Sequence, residues 1–295
     1  MKFVVIGASG LVGSHVWQLA AKTGLDVVGT TRSADSSMLR QLDVADEVAL
    51  TKLLESEKPD AVVYTAGFTW ADGCEKDPSR SRLENYHYPL RVAKWCQARG
   101  VRLLYYSTAY VFNGHLGNYI ETDIVSPINV YGSDKADVEK AILDVTGGNA
   151  LVARLMCVWG QEVAQKNFLY QVLRAVDTGA EMVMPSDQRG NPTWAGDIAE
   201  WTLKLIEKRQ SGIWHLAGPY PQMTRLDWAH SIVGGLSQVG RPVKLNAKAC
   251  ATKHLGQIAS RPLFAGMNTS KAQSFHPISC RNPDDLVGVI SNIKI

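Results

Sequence analysis

Tyr131 and Lys135 stand four residues apart in the stretch SPINVYGSDKADVEK. On a helix that spacing puts a phenol and an ammonium on one face. A nearby cation favours the phenolate, so the pair suits proton transfer to or from a carbonyl or alcohol oxygen. Upstream, an apolar run over residues 101–106 delivers Ser107 and Thr108, and the Thr108 hydroxyl is placed to hold that oxygen beside the phenol. A Tyr-x-x-x-Lys match alone is most often ordinary helix surface. The weight therefore rests on the elements that must carry these side chains.

Residues 3–6 form a short continuous apolar run, as expected for a buried parallel strand. The run leads straight into Gly7-Ala8-Ser9-Gly10-Leu11-Val12-Gly13 and then a helical pattern through residue 22. Such glycines allow a tight turn and the close approach of a pyrophosphate, whose charge sits at the helix N-terminus. The spacing is G-x-x-G-x-x-G, and Gly7, Ser9, Gly10, Leu11, Val12 and Gly13 become cofactor-contact candidates. A purely structural turn between strand and helix is the competing reading. The second strand, residues 26–30, ends in Thr31-Arg32-Ser33. NAD-specific folds carry an acidic residue near this point. Here an arginine and small hydroxyls suit a 2′-phosphate, which favours NADPH, with NADH as the alternative. Arg32 as a solvated surface residue is the plainer reading of that position.

A helix is predicted over 46–56, a strand over 60–65 and a helix over 80–97 carrying Asn85. Ala66 and Gly67, small residues at a strand end, let a dinucleotide backbone pass close. Strands alternating with helices predict an α/β fold built on a doubly wound parallel Rossmann sheet, with ligands at the carboxyl ends of its strands. The chain has 295 residues, 45% hydrophobic and 20% charged, which allows a sizeable core. A net charge of +3 without a basic tract argues against nucleic acid as a partner. The first apolar run breaks at Gly7, so it reads as neither a signal peptide nor a membrane span. Five scattered cysteines with no C-x-x-C pair predict reduced thiols in a cytoplasmic protein, with no disulfide framework and no metal site.

In the second half, residues 163–178 repeat apolar positions at helical spacing and predict a core-facing helix. Residues 182–184 form a short strand leading to the polar loop Asp187-Gln188-Arg189-Gly190-Asn191-Pro192-Thr193. Gln188 and Arg189 are candidate sugar or phosphate contacts, and a solvated loop is an equal reading. Further helices are predicted over 197–208 and 223–239, and strands over 212–217 and 241–245, with His215 a packed core residue.

Six stretches carry a family likeness: GASGLVG, STAYVFNG, SPINVYGSDKADVEK, DQRGNPTWAGDIAE, GIWHLAG and SRPLFAGMNTSKAQSF. Together they span nearly the whole chain. The sequence resembles the extended short-chain dehydrogenase/reductases, and within them the dTDP-4-dehydrorhamnose reductase (RmlD-like) family. The resemblance implies reduction of the 4-keto group of a nucleotide-linked deoxysugar. Thr108 would orient the substrate oxygen, Tyr131 would donate the proton, and Lys135 would bind the nicotinamide ribose and depress the tyrosine pKa. Asp43-Val44 resembles the element that caps the adenine, and Asn85 sits where the family has a structural or cofactor-side asparagine. Asn167, in an NF pair, would face a substrate phosphate, and Arg261 of the R-P pair would hold the diphosphate. The expected organisation is a dinucleotide-binding domain over 1–155 and a smaller α/β substrate-binding domain over 156–295. The latter is interleaved with sheet elements returning over about 186–217. A homodimer is compatible with the family. Two departures stand out: Ala109 replaces the aspartate that commonly follows the Ser-Thr pair, and Cys157 replaces a tryptophan expected near the substrate. Two other readings stay open: a sugar-nucleotide epimerase or dehydratase, and a non-catalytic cofactor-binding subunit like the methionine adenosyltransferase β subunit.

Overall fold

The first strand, β1 (Lys2–Ile6), is apolar on both faces, and its alternation sorts the side chains into two layers. Phe3 and Val5 enter one hydrophobic cluster, while Val4 and Ile6 enter the other. The strand is therefore covered on both sides, as a parallel sheet requires. In this computed structural model, which describes residues 1–33, 38–218, 222–281 and 285, the first half runs α1 (Leu11–Lys22), β2 (Asp26–Thr31), β3 (Arg40–Gln41), α2 (Glu47–Glu57), β4 (Ala61–Tyr64), α3 (Ala71–Lys76), α4 (Pro78–Arg82), α5 (Tyr88–Ala98), β5 (Arg102–Thr108) and α6 (Val130–Val145). The second runs β6 (Leu151–Leu155), β7 (Val158–Trp159), α7 (Phe168–Thr178), β8 (Met182–Pro185), β9 (Arg189–Gly190), β10 (Thr193–Trp194), α8 (Ala195–Glu207), β11 (Gly212–His215), β12 (Met223–Thr224), α9 (Arg225–Gln238), β13 (Ala247–Cys250) and α10 (Ser270–Phe275).

Seven strands form one sheet in the order β11-β6-β5-β4-β1-β2-β3, and every neighbouring pair is parallel. Helices α1 and α8 cover one face through Val16, Ala20, Ile198, Trp201 and Leu205. Helices α2, α5 and α6 cover the other through Leu50, Leu54, Val92, Cys96, Val138 and Ile142. The winding reverses between β1 and β4, which leaves a crevice beyond their carboxyl ends. A separate apolar cluster joins α7, α9, β8 and β13 around Leu169, Leu173, Met184, Trp228 and Ile232. Late elements return to the first sheet: β11 pairs with β6, and α10 contributes Ala272 to the α1/α8 layer.

Three local expectations are corrected. The helix over 80–97 is instead α4, a π turn over Leu83–His87, and α5 with Pro89 at its start. Proline has no N–H to return to the preceding turn, so the ladder widens where the helix runs through it. Residues 163–167 lie outside the helix, because the Asn167 side chain accepts the Leu169 N–H and starts α7 there. No strand forms over 241–245. Pro242 lacks a ladder donor, and pairing with β8 begins at Ala247. Among the described residues, no helix is long and apolar enough to cross a membrane.

Candidate active site

The glycine turn is shaped by contacts that leave no room for side chains. Gly7 has φ +88°, the left-handed region that favours glycine. A Cβ on Gly13 would collide with the Gly7 carbonyl oxygen and lie 2.7 Å from Thr65 Oγ1. Thr65 Oγ1 donates to the Ile6 and Gly7 carbonyls at 2.8 and 3.0 Å, pressing the turn onto the end of β4. Helix α1 starts at Gly10 with no side-chain cap and no acidic residue in its first turn. Its first N–H groups and the positive end of its dipole are therefore offered to an anion. Gly10, Leu11, Val12, Gly13, Ala66 and Gly67 line a cavity of about 920 Å³. The buried Ser107 hydroxyl also lines it and has no hydrogen-bond partner among the described residues. Uncapped helix, cradle and orphan hydroxyl together fit the pyrophosphate and ribose of a dinucleotide. Gly13→Ala is expected to lower the affinity for NADPH at least about tenfold through the displaced turn, measured by fluorescence titration. Unchanged affinity would mean that the turn does not hold the cofactor.

The chemistry-bearing residues converge further along the same cavity. Thr108 ends β5, and its Oγ1 accepts the Tyr110 N–H at 3.2 Å. Tyr131 occupies the first turn of α6, fixed by the Asn129 cap, whose Oδ1 accepts the Gly132 N–H at 2.7 Å. The Thr108 hydroxyl is near enough to the Tyr131 phenol to favour its ionised form, and the Tyr131 ring meets the edge of Tyr110 at 5.9 Å. Lys135, one turn on, is buried; its Nζ donates to the Tyr106 carbonyl at 2.6 Å and lies 4.1 Å from the Tyr105 ring centre. Burial pushes the Lys135 pKa down to about 7, against the pull of Glu139. Burial also raises Tyr131 above the ordinary tyrosine value, with Thr108 the influence pulling it back. The Lys135 ammonium is turned onto a backbone carbonyl, and burial sets the direction of the Tyr131 shift.

The other predicted residues divide. Ser9, in the glycine turn, is exposed and stands outside the cavity wall, as do Thr31, Arg32, Asp43 and Val44 along the ends of β2 and β3. That margin is still tied to the glycine turn, since Ala8 N–H donates to the Thr30 carbonyl and Gly7 N–H to Thr30 Oγ1. Asn85 is buried away from the cavity: its amide accepts the Phe68 N–H and donates to the Phe68 carbonyl and Ser81 Oγ. Of the two expected roles, structural or cofactor-side, these bonds show it pinning the backbone of the 66–68 loop. Asn167, Gln188, Arg189 and Arg261 all line the cavity. Asn167 spends both its donors on the Gly160 carbonyl and Glu162. Gln188 donates to Thr252 and Gln257, and Arg261 bonds Asp72 and the Ala259 carbonyl, each at 2.8 Å.

Sequence reasoning missed Trp70, Lys166 and Arg225 in the same wall. Arg225 had a sequence signal, since Thr224 and Asp227 form a capping box that makes it the first residue of α9. What it faces is decided by tertiary packing. Cys157 also lines the wall, held at φ +48°. Lys135, Lys166, Arg189, Arg225 and Arg261 face Glu162 as the cavity's lone acid among the described residues, so the cavity is built for anions.

A doubly wound parallel sheet whose first glycine turn and Tyr-x-x-x-Lys helix open into one cavity is the architecture of the extended short-chain dehydrogenase/reductases. The chain belongs to the family described as the RmlD substrate binding domain, whose model matches residues 1–289. It is 30% identical over 295 residues to a probable low-salt glycan biosynthesis reductase of Haloferax volcanii, covering 97% of this chain and 96% of that one. It is 33% identical over 228 residues to a dTDP-4-dehydrorhamnose reductase of Burkholderia thailandensis, covering 73% and 72%. A crystal structure of a Bacillus anthracis dTDP-4-dehydrorhamnose reductase in complex with NADP superposes with a TM-score of 0.87. It covers 99% of this chain and 100% of that one at 22% identity, a likeness of fold.

Proposed function

We propose that this protein is an NADPH-dependent reductase of the 4-keto group of a nucleotide-linked deoxysugar. The observation that carries it is the meeting of Thr108, Tyr131 and Lys135 in the wall of a cavity that begins at the glycine turn. When bound, the nicotinamide would supply the hydride that the carbonyl carbon receives. Tyr131, kept protonated by its burial, gives the proton to the oxygen, and the Thr108 hydroxyl holds both in line. Lys135, poised near neutrality, is placed to bond ribose hydroxyls and to return a proton to the phenol. Gly10–Gly13 would hold the pyrophosphate.

Phe168, Met184 and Trp228 offer the cavity an apolar wall for a nucleobase, and Lys166, Arg189, Arg225 and Arg261 line the same cavity as Tyr131. We read this second cluster as the substrate-binding part, interleaved with the dinucleotide-binding part. Five free cysteines support a cytoplasmic setting. Loss of NADPH absorbance on adding a freshly generated dTDP-4-keto-6-deoxysugar is the expected result. Tight NADPH binding with no oxidation of that substrate or its UDP counterpart would overturn the reading.

A further inference from the structure

The cationic residues of the cavity are not equivalent. Arg261, the residue the family resemblance marks for the diphosphate, has its guanidinium committed to Asp72 and the Ala259 carbonyl. Lys166 and Arg189 are exposed on the rim. Arg225 differs from all three. It is half-buried, and among the described residues its guanidinium makes no hydrogen bond or ion pair with a carboxylate. It lies against two aromatic faces instead, 4.9 Å from the Phe168 ring centre and 5.0 Å from that of Trp228. Its backbone is fixed, because Thr224 and Asp227 cap the first turn of α9 reciprocally and spend the Asp227 carboxylate there. Stacking of this kind orients the planar fork without satisfying its donors.

Position completes the case. Arg225 touches the apolar wall of Phe168 and Trp228. The Trp228 indole N–H, in a fully buried side chain of that wall, has no partner among the described residues. Arg225 shares the cavity lining with Cys157, Tyr110 and Tyr131, and Tyr110 abuts Tyr131. The guanidinium is thus braced on the wall suited to a base, in the same cavity as the phenol suited to the sugar, and a diphosphate would link the two.

Resting on the reductase reading above, we propose that Arg225 is the phosphate anchor of the substrate, a specificity-determining residue that grips the diphosphate of a sugar nucleotide. Wild type, R225Q and R225K are titrated with dTDP and UDP, with thymidine and uridine, and with NADPH. R225Q is expected to weaken the nucleoside diphosphates about 10- to 100-fold, as loss of a charge-assisted bond requires, while nucleoside and NADPH affinities hold. In turnover the loss is expected in KM rather than kcat. R225K keeps the charge without the fork and is expected to fall between, at least about fivefold weaker than wild type. Wild-type diphosphate affinity in R225Q, with NADPH still bound, overturns the assignment. If R225Q fails to hold NADPH, R225K decides by the same comparison: undiminished dTDP and UDP affinity overturns it. A wild type that binds neither diphosphate overturns the substrate reading, and the role of Arg225 with it.

Discussion

Tyr131→Phe is expected to lower turnover by about 10³-fold or more while NADPH binds with nearly wild-type affinity. The substitution removes a hydroxyl and leaves the ring, which packs with Ala71, Cys74 and Ala259 beside Tyr110. Packing is therefore kept, and the fold should lose little. What disappears is the proton. Burial raises the Tyr131 pKa, so the phenol is protonated throughout the neutral range and available as a donor. Thr108 stays in place but carries no charge and is itself oriented by its bond from the Tyr110 N–H. Water is a poor substitute, since the strand end is buried and Tyr131 is only 9% exposed. Stopped-flow single turnover separates hydride transfer from product release. A variant with wild-type single-turnover rate would remove Tyr131 from the chemistry and leave the cavity as a binding site.

The fold was readable where local pattern and tertiary role agree. Apolar runs of four to seven residues gave the buried strands because a strand covered on both faces needs no alternation. The glycine turn was readable because its steric demand lies within a few residues: Gly7 at positive φ, and Gly13 against the Gly7 carbonyl. Tyr131 and Lys135 were readable as a pair because helix geometry alone puts them on one face. What the spacing did not reveal was where the ammonium turns. Whether an ammonium points at a phenol or at the Tyr106 carbonyl is set by β5 beneath the helix, which sequence spacing does not reveal. Asn85 shows the same limit: its position was noted, but its commitment to Phe68 and Ser81 arises from residues on separate elements. Arg225 was missed for a related reason, since the two rings that brace it come from α7 and α9 packing together.

Lys135→Met should separate function from stability in opposite directions. Turnover is expected to fall at least about 10²-fold, because the amine proposed to bond ribose hydroxyls beside Tyr131 and relay a proton is removed. Stability is expected to rise. Lys135 is 5% exposed, and burial carries its pKa from 10.5 to about 7. Below pH 7 the ammonium is charged in both folded and unfolded chains, and the full desolvation penalty is present. Between pH 7 and 10.5 the unfolded chain binds the proton and the folded chain does not, so wild-type stability contributed by this group grows with pH. The penalty at low pH is on the order of 4–5 kcal/mol. Loss of the bond to the Tyr106 carbonyl offsets roughly 1 kcal/mol of the gain from its removal. The variant is therefore expected to be more stable at pH 6 by roughly 2–4 kcal/mol, with the advantage shrinking toward pH 9. Urea denaturation at pH 6, 7.5 and 9 reads the difference. An advantage that stays constant with pH would assign the effect to packing, and a variant less stable at pH 6 would mean that the folded protein holds this ammonium comfortably. Either result would remove the poised amine from the proton path drawn above.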